Sequence, residues 1–303
     1  MSRILGIGIA TLDIINTVHD YPEEDTEVRA LQQRISRGGN AANSLVVLSQ
    51  LGHQCDFSGV ISDDYNSQII TADLNKFRIN SRYCQQQKNG KTPTSYITLN
   101  QLNGSRSIIH YRDLAELSFS SFTAISLQEV DWLHFEGRNI ENTVKMLRHA
   151  INETPHLKRS IEIEKPRTGI EQLFPFADVL IFSKHYLLEL GHQDPAAFLS
   201  NIHQQIPDTD LICTWGEKGA WYHSRDNEKG HQPAKYVKPA IDTLGAGDCF
   251  NAGLIDGLLQ DQSLAQACRN ACKLAAVKCG LQGLNLKLAR SQKCPPRQDS
   301  PVA

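Results

Sequence analysis

Residues 242–253 read Asp-Thr-Leu-Gly-Ala-Gly-Asp-Cys-Phe-Asn-Ala-Gly and predict a glycine-rich turn that leads into a helix. Apolar residues then recur at four-residue intervals from Phe250 to Leu258, which is the spacing of one helix face. Backbone N–H groups are unpaired at a helix start, and the helix dipole favours negative charge there. Glycines let an anion approach these groups closely, so the stretch predicts a phosphate-sized anion hole. The two glycines of this turn, Gly245 and Gly247, flank Ala246.

Asp248 falls in the first turn of that predicted helix and has two interpretations. An acid at this position complements the positive end of the helix dipole. A carboxylate beside an anion hole also lies where a general base for a hydroxyl nucleophile is needed. The spacing alone is compatible with both interpretations.

Residues 37–43 read Arg-Gly-Gly-Asn-Ala-Ala-Asn, and a helix predicted over 39–52 begins within this stretch. Asn40 is a candidate N-cap of this helix, since asparagine is favoured at that position. Alternatively, Asn40 and Asn43 lie three residues apart on nearly one helix face. Paired amides on one face offer donors and acceptors for several sugar hydroxyls.

The rest of the chain alternates short apolar runs with segments of helical spacing. This alternation is typical of a mostly parallel sheet covered by helices on both faces. The predicted strands are 3–10, 55–61, 131–136, 159–163, 178–182 and 210–215, and a further helix is predicted over 140–151.

Polar residues follow several of these strands. Asp13 comes soon after the first strand, and polar stretches over 136–139 and 214–219 follow two others. Each stretch on its own is typical of a surface turn. In open α/β sheets, however, ligands bind beyond the carboxyl ends of the strands. The convergence of these turns therefore favours a ligand cleft at that sheet edge.

Two stretches, 12–36 and 93–112, depart from the alternation. Strand-like runs flank Asn103 and Gly104, which predicts a hairpin. The two stretches could form a separate small sheet that closes a cleft as a lid, or an edge hairpin of the main sheet. Arg106 lies in the hairpin, either as a surface residue or as a cation that reaches a phosphate.

The composition is that of an ordinary globular protein, with 40% hydrophobic and 21% charged residues among 303. A net charge of −2 gives no reason to expect nucleic acid or an anionic membrane as a partner. Apolar runs stay below the roughly 18–20 residues of a membrane span. The eight cysteines are scattered without zinc-ribbon spacing, which favours a reduced, cytoplasmic setting. The polar residues 290–303 predict a disordered tail.

The stretches 38–43 and 242–248 resemble the two signatures of the ribokinase-like (PfkB) sugar kinase family. The stretches 21–25, 136–139, 162–167 and 279–283 resemble the branch that phosphorylates ketohexoses. The resemblance implies a three-layer αβα sandwich with a mostly parallel central sheet and a small β-sheet lid. It implies a kinase domain over 1–289, with the lid from about 12–36 and 93–112, and a homodimer formed through the lids.

The resemblance also implies transfer of the ATP γ-phosphoryl group to the 1-hydroxyl of fructose, with Asp248 as the base and 245–247 as the anion hole. Mg²⁺ would bind the phosphates, and K⁺ would bind near the anion hole with Asp242 at its site. The residues implied for the sugar are Asp13, Gly39, Asn40 and Asn43. The residues implied for ATP are Arg106, Trp215, Gly216, Glu217 and Gly219, with Cys272 at the adenine pocket.

The chain departs from the family at 183–186, which read Ser-Lys-His-Tyr where many members carry Asn-x-x-Glu near Mg²⁺. Glu136 or Glu164 would then act on the metal through water. Another sugar or nucleoside kinase remains an alternative. A kinase of a phosphosugar is less favoured, because no obvious extra Lys/Arg cluster adjoins Asn40 and Asn43, but the nearby Arg34 and Arg37 keep it as an alternative. A silent sugar-binding regulator is a further alternative, against which the intact run 245–248 argues.

Overall fold

Strands and helices alternate along the folded chain. The computed structural model describes residues 1–235 and 240–286, so the predicted tail over 290–303 lies outside the described residues. The strands are β1 (Arg3–Ile7), β2 (Thr11–Val18), β3 (Gln32–Gly38), β4 (Gln54–Ser58), β5 (Val60–Ser62), β6 (Gln85–Gln87), β7 (Thr94–Asn100), β8 (Arg106–Tyr111), β9 (Trp132–Glu136), β10 (Lys158–Ile163), β11 (Val179–Ser183), β12 (Asp210–Thr214), β13 (Ala220–His223) and β14 (Lys229–Gln232).

Helices connect most of these strands, and two short 3-10 segments occur at Ile170–Phe176 and Gly216–Lys218. The α-helices are α1 (Asn40–Leu51), α2 (Tyr65–Lys76), α3 (Phe119–Thr123), α4 (Ile140–Glu153), α5 (Lys184–Glu189), α6 (Pro195–Gln205), α7 (Ala246–Leu259) and α8 (Leu264–Cys279).

The main sheet has eight strands in the order β14-β13-β12-β11-β10-β9-β1-β4. Six of them, from β4 to β12 in that order, pair in parallel. The edge strands β13 and β14 run antiparallel. Parallel strands need long crossover connections, and the helices supply them. The carboxyl ends of the parallel strands consequently meet at one edge of the sheet.

Alternate side chains of the strands fill two cores. Ile4 and Ile181 pack with α1, α7 and α8 on one face. Their neighbours Leu5 and Phe182 pack with α3, α4, α5 and α6 on the other face. Successive residues of a strand point to opposite faces, so nearly continuous apolar strands bury both. The predicted three-layer α/β fold with a mostly parallel sheet is confirmed.

The helices α7 and α8 cross at close range because α7 carries a glycine at the contact. A Cβ atom on Gly253 would lie 2.9 Å from the Cα of Ala271, a distance that requires one backbone to move. The helix α7 itself begins at Ala246, directly after Gly245 in a left-handed conformation. The predicted anion hole thus lies at the start of a closely packed pair of helices.

A second sheet has four strands in the order β3-β2-β7-β8. The pair β2 and β7 is parallel, and the two outer pairs are antiparallel. These strands form a small mixed sheet of their own, so the alternative of an edge hairpin on the main sheet is wrong. Strand alternation gives it two faces: Asp13 and Ser95 are neighbours on one, Ile14 and Tyr96 on the other.

Within residues 1–235 and 240–286, every helix is too short or too polar to cross a membrane.

Candidate active site

A cleft of about 880 Å³ lies between the small sheet and the carboxyl ends of the main strands. Polar residues at the carboxyl ends of β9, β10 and β12 line it, including Glu136, Glu164 and Thr214. Asp13 of the small sheet and the turn at the start of α7 also line it. These polar strand ends therefore face one common space, whereas the rest of the predicted turn 214–219 does not line it.

The residues predicted for a sugar lie together in the cleft. Asp13 accepts a hydrogen bond from Thr11 Oγ1 at 2.9 Å, and burial raises the pKa of Asp13. Gly39 has a φ of 99°, and a Cβ atom there would lie 2.0 Å from the Ile9 carbonyl oxygen. Only glycine fits such a position, so the chain can turn tightly from β3 into α1.

Asn40 is the first residue of α1 and does not act as its N-cap. The N-cap is Gly39, and no side chain of the described residues caps the helix. Asn40 Nδ2 instead donates to Glu164 Oε2 at 3.3 Å across the cleft. The interpretation of Asn40 as a capping residue is therefore wrong, and its amide is available to the cleft.

Asn43 links the two glycine-rich turns. Its Nδ2 donates to Asp248 Oδ2 at 2.6 Å, and its Oδ1 accepts a hydrogen bond from Arg37 Nη1. The buried Arg37 in turn contacts Asp73 Oδ2 through its Nε at 2.9 Å. This chain of contacts fixes the amide of Asn43 so that its N–H group points at Asp248. Sequence reasoning assigned no role in the site to Arg37 or Asp73. The available signal was the position of Arg37, a charged residue directly before the glycine pair.

Asp248 is a buried acid with a raised pKa. Burial raises its pKa to about 7, and the charges of Glu164 and Glu136 add to the effect. The hydrogen bond from Asn43 and the charge of Arg37 act in the opposite direction. A base with a pKa near the working pH is the most efficient proton acceptor at that pH. The environment of Asp248 thus suits proton transfer.

Two buried glutamates stand beside this acid. Glu136 Oε1 accepts N–H hydrogen bonds from Ala41 at 3.0 Å and Ile9 at 3.3 Å, and burial raises its pKa. Burial also raises the pKa of Glu162 well above its usual value. Glu162 Oε2 has no hydrogen-bond partner among the described residues. Sequence reasoning missed Glu162, although its alternation with Glu164 at a strand end was a signal.

The turn before α7 has the properties of an anion hole. Gly245 is the N-cap, and no side chain in the described part of the chain caps the helix. The N–H groups of the first turn have no acceptor within the helix, and that of Ala246 donates to the Thr243 carbonyl oxygen at 3.2 Å. A Cβ atom on Gly247 would meet nothing within 4 Å, so open space lies above the turn. Arg106 Nη1 lies 3.4 Å from Thr243 Oγ1 and brings a positive charge to the same place.

Asp242 lies at the edge of the cleft with its carboxylate already paired. Its Oδ2 contacts Arg34 Nη2 at 2.9 Å and Lys278 Nζ at 3.3 Å, and it accepts from the Gly283 N–H at 3.0 Å. Burial by itself would raise the pKa of Asp242, but these partners and the Leu244 N–H hold it below the usual value. The carboxylate is therefore ionised and surrounded by donors.

The residues predicted for ATP are divided by the structure. Arg106 lines the cleft, whereas Trp215 is buried in the core against Trp221. Cys272 is buried on α8, with Sγ 3.8 Å from the Gln232 carbonyl oxygen. The members outside the described cleft lining are Trp215, Gly216, Glu217, Gly219 and Cys272. The structure thus brings the predicted sugar and anion-hole residues together in the cleft, and these five residues predicted to bind ATP lie outside its lining.

An α/β fold with a buried acid beside a glycine-rich helix start is an arrangement suited to phosphoryl transfer. Comparison with known proteins identifies the family. The pfkB family carbohydrate kinase profile matches residues 1–289, and the chain belongs to this family.

Relatives support the assignment along nearly the whole chain. The chain is 40% identical to ketohexokinase from Mus musculus, over 93% of this chain and 98% of that protein. It is 25% identical to an ATP-dependent ribose-1-phosphate kinase from Halopiger xanaduensis, over 93% and 94%. The protein is therefore a carbohydrate kinase that is similar to ketohexokinase.

Solved structures give the same fold. A ribokinase from Giardia lamblia superposes with a TM-score of 0.80 at 16% identity, covering 96% of this chain and 99% of that one. A ribokinase from Cryptococcus neoformans var. grubii serotype A in complex with ADP superposes with a TM-score of 0.76 at 20% identity, covering 96% and 100%. At these identities the likeness supports the fold alone.

The raised pKa of Asp248 predicts a pH-dependent effect on stability. The folded pKa of about 7 exceeds the unfolded value of about 3.9, so the stabilisation is present at acid pH and is lost as pH rises through 7. Asp248→Asn removes the ionisable group, and the variant should unfold at a higher temperature than the parent at about pH 8. The difference should shrink at about pH 5, where the acid is neutral.

Thermal unfolding at the two pH values measures this effect. Asp261→Asn is the matched control, because Asp261 is an exposed acid just beyond the same helix. An Asp248→Asn variant that is less stable than the parent at alkaline pH would contradict the electrostatic account.

Proposed function

We propose that the protein transfers the γ-phosphoryl group of ATP to the 1-hydroxyl of a ketohexose, D-fructose, and forms D-fructose 1-phosphate. The observation that carries the proposal is the hydrogen bond between Asn43 and Asp248, which joins the two signature turns in one cleft. The choice of a ketohexose as the acceptor is supported by the 40% identity to a protein named ketohexokinase.

The acceptor sugar would lie against the small sheet and the start of α1. Asp13 is a carboxylate that can accept hydrogen bonds from two vicinal hydroxyls. The amides of Asn40 and Asn43 offer both donors and acceptors on the same side of the cleft. Gly39 lines the same end of the cleft. A polyhydroxylated acceptor therefore matches this end of the cleft.

Asp248 would act as the general base. As the sugar oxygen forms its bond to the γ-phosphorus, the bond from that phosphorus to the β-phosphate oxygen breaks, and the hydroxyl proton passes to Asp248. Negative charge on the transferred group would be stabilised by the N–H groups of Gly245, Ala246 and Gly247 and by Arg106. Positioning and charge stabilisation are then the main sources of rate.

The donor ATP would enter from the β12 side, with the turn Trp215 to Gly219 and the region of Cys272 near the adenine. Its Mg²⁺ would neutralise charge on the phosphates. Within 1–235 and 240–286 no group of three or more His, Cys, Asp or Glu residues is arranged to bind a metal ion. Ser183, at the departure from the family motif, caps α5 and contacts the Glu164 carbonyl at 2.6 Å. The half-exposed Glu164 is thus the residue that fits a hydrated ion held mainly by ATP.

An acceptor panel tests the substrate. ADP release would be followed with fructose, ribose, a nucleoside and ribose 1-phosphate, and the phosphorylated carbon would be identified by NMR. We expect turnover with fructose and phosphorylation at C1. Turnover with ribose or a nucleoside but not fructose would move the protein elsewhere in the family. Binding of sugar by calorimetry without turnover would instead favour a silent sugar-binding regulator.

Replacement of the base tests the mechanism. Asp248→Asn should retain the fold and lower kcat by at least about 100- to 1,000-fold, because the attacking hydroxyl loses its proton acceptor. In the parent, kcat/KM should rise with pH and level off above the Asp248 pKa of about 7, since only the ionised acid accepts a proton.

Steady-state kinetics from acid to alkaline pH measure both effects, with Asp261→Asn as the exposed acidic control. Near-parental turnover of Asp248→Asn would remove Asp248 from the role of base.

We also infer a homodimer that forms through the outer face of the small sheet. Ile35, Ile14, Tyr96 and Ile109 are successive cross-strand neighbours on that face. Of these, Ile35 is 53% exposed, Tyr96 49% and Ile109 73%. A row of exposed apolar side chains on one sheet face marks an interaction surface. A second copy offers the same row, so the surface is complementary to itself.

The oligomeric state is measured by light scattering after gel filtration. The parent should elute as a dimer, and Ile109→Glu should shift it to a monomer, because a buried charge without a partner opposes association. Leu190→Glu, at an exposed leucine far from this sheet in the chain, should leave the dimer intact. A monomeric parent would contradict the inference.

A further inference from the structure

Lys278 on α8 is a lysine whose side chain has no exposed surface. Its ammonium nitrogen lies 2.8 Å from the Asp242 carbonyl oxygen and 3.2 Å from the Leu281 carbonyl oxygen. It also lies 3.3 Å from Asp242 Oδ2. A buried charge needs a partner of opposite sign and hydrogen bonds for its donors. These oxygens match the three N–H donors of an ammonium group.

This ammonium joins the two segments that border the anion hole. Asp242 precedes the glycine turn, and Leu281 belongs to the turn that follows α8. The Gly283 N–H donates to the Asp242 carboxylate at 3.0 Å, which ties the two segments together a second time. Leu284 then packs over the turn, because a Cβ on Gly245 would lie 3.1 Å from it. Displacement of Lys278 would therefore loosen both borders of the hole.

The oxygens around Lys278 Nζ are those that a monovalent cation would require. Two backbone carbonyls and a carboxylate form the hard oxygen donor set of such an ion. The family resemblance implies K⁺ near the anion hole with Asp242 at its site. In this chain the same Asp242 carboxylate is engaged by Lys278 and by Arg34. The residues present do not fit an added cation there, because an ammonium group already contacts these oxygens.

We propose that Lys278 is a built-in replacement for a monovalent cation. It supplies a fixed positive charge behind the anion hole, and it is a positioning residue that holds Gly245–Gly247 in place through Asp242 and the 281–284 turn. The structural part of the proposal stands on the contacts of Lys278; its effect on rate rests on the phosphoryl transfer proposed above.

Truncation of the lysine tests the replacement directly. Lys278→Ala would leave the two carbonyls and the carboxylate facing the space that the side chain filled, and K⁺ or NH₄⁺ can enter it. Unfolding temperature and kcat would be measured in KCl, NH₄Cl, NaCl and tetramethylammonium chloride at one ionic strength. In tetramethylammonium chloride the variant should lose about 100-fold in kcat, as on loss of one preorganised group at an anion hole.

K⁺ or NH₄⁺ should raise the kcat of Lys278→Ala by at least about tenfold. Either ion should also raise the unfolding temperature of this variant, because an ion that binds only the folded state stabilises it. The parent should show a clearly smaller change between the same salts. Lys273→Ala, an exposed lysine on the same helix, is the matched control and should behave like the parent. Equal responses of Lys278→Ala and the parent to K⁺ would overturn the proposal.

A second variant covers the case in which Lys278→Ala does not fold in any of the salts. Lys278→Met keeps the length of the side chain without its charge, so it should lower kcat and gain nothing from K⁺ because the space stays filled. Parental kcat in Lys278→Met would overturn the proposal. The unfolding measurement needs no substrate. K⁺-selective stabilisation of Lys278→Ala therefore tests the inference even if the acceptor panel finds no sugar that is phosphorylated.

Discussion

The site depends on one constraint: a buried carboxylate must be held by a donor that is itself held in place. Asp248 meets this requirement through the 2.6 Å hydrogen bond from Asn43 Nδ2. That bond joins the first turns of α1 and α7, two helices that pack against each other under the cleft. Arg37 and Asp73 then fix the donor. The raised pKa of Asp248 follows, since burial outweighs the hydrogen bond.

Much of the fold and part of the site could be predicted because their signals are local. A glycine pair or a glycine-rich run directly before an apolar helical pattern indicates both a helix start and a close backbone approach. Polar residues after predicted strands are equally clear in the sequence, and they led to Asp13 and Glu136 as residues of one cleft. These residues do line one cleft with Asp248. Local sequence patterns are thus sufficient to indicate these parts of the site.

The remainder could not be predicted, because it depends on which distant segments meet. The parallel pairing of β2 with β7 has no local signature, so the hairpin around Asn103 was compatible with two different sheets. Trp215 follows a strand like the other polar turns, but its large apolar ring packs into the core. Lys278 resembles an ordinary helix lysine in sequence. Its partners include backbone oxygens of other segments, and residue types do not indicate where backbone oxygens lie.

The path of the chain through the cleft has a consequence for how the enzyme can diversify. The end of the cleft proposed to bind phosphate is built mainly from one continuous stretch, 242–286, whose helices α7 and α8 pack against each other. The end proposed to bind the acceptor is assembled from separate segments around Asp13, Asn40 and Glu164. Changes in those separate segments would alter the proposed acceptor pocket and leave the contacts within the contiguous stretch unchanged. The same phosphate-binding stretch is therefore compatible with different acceptors.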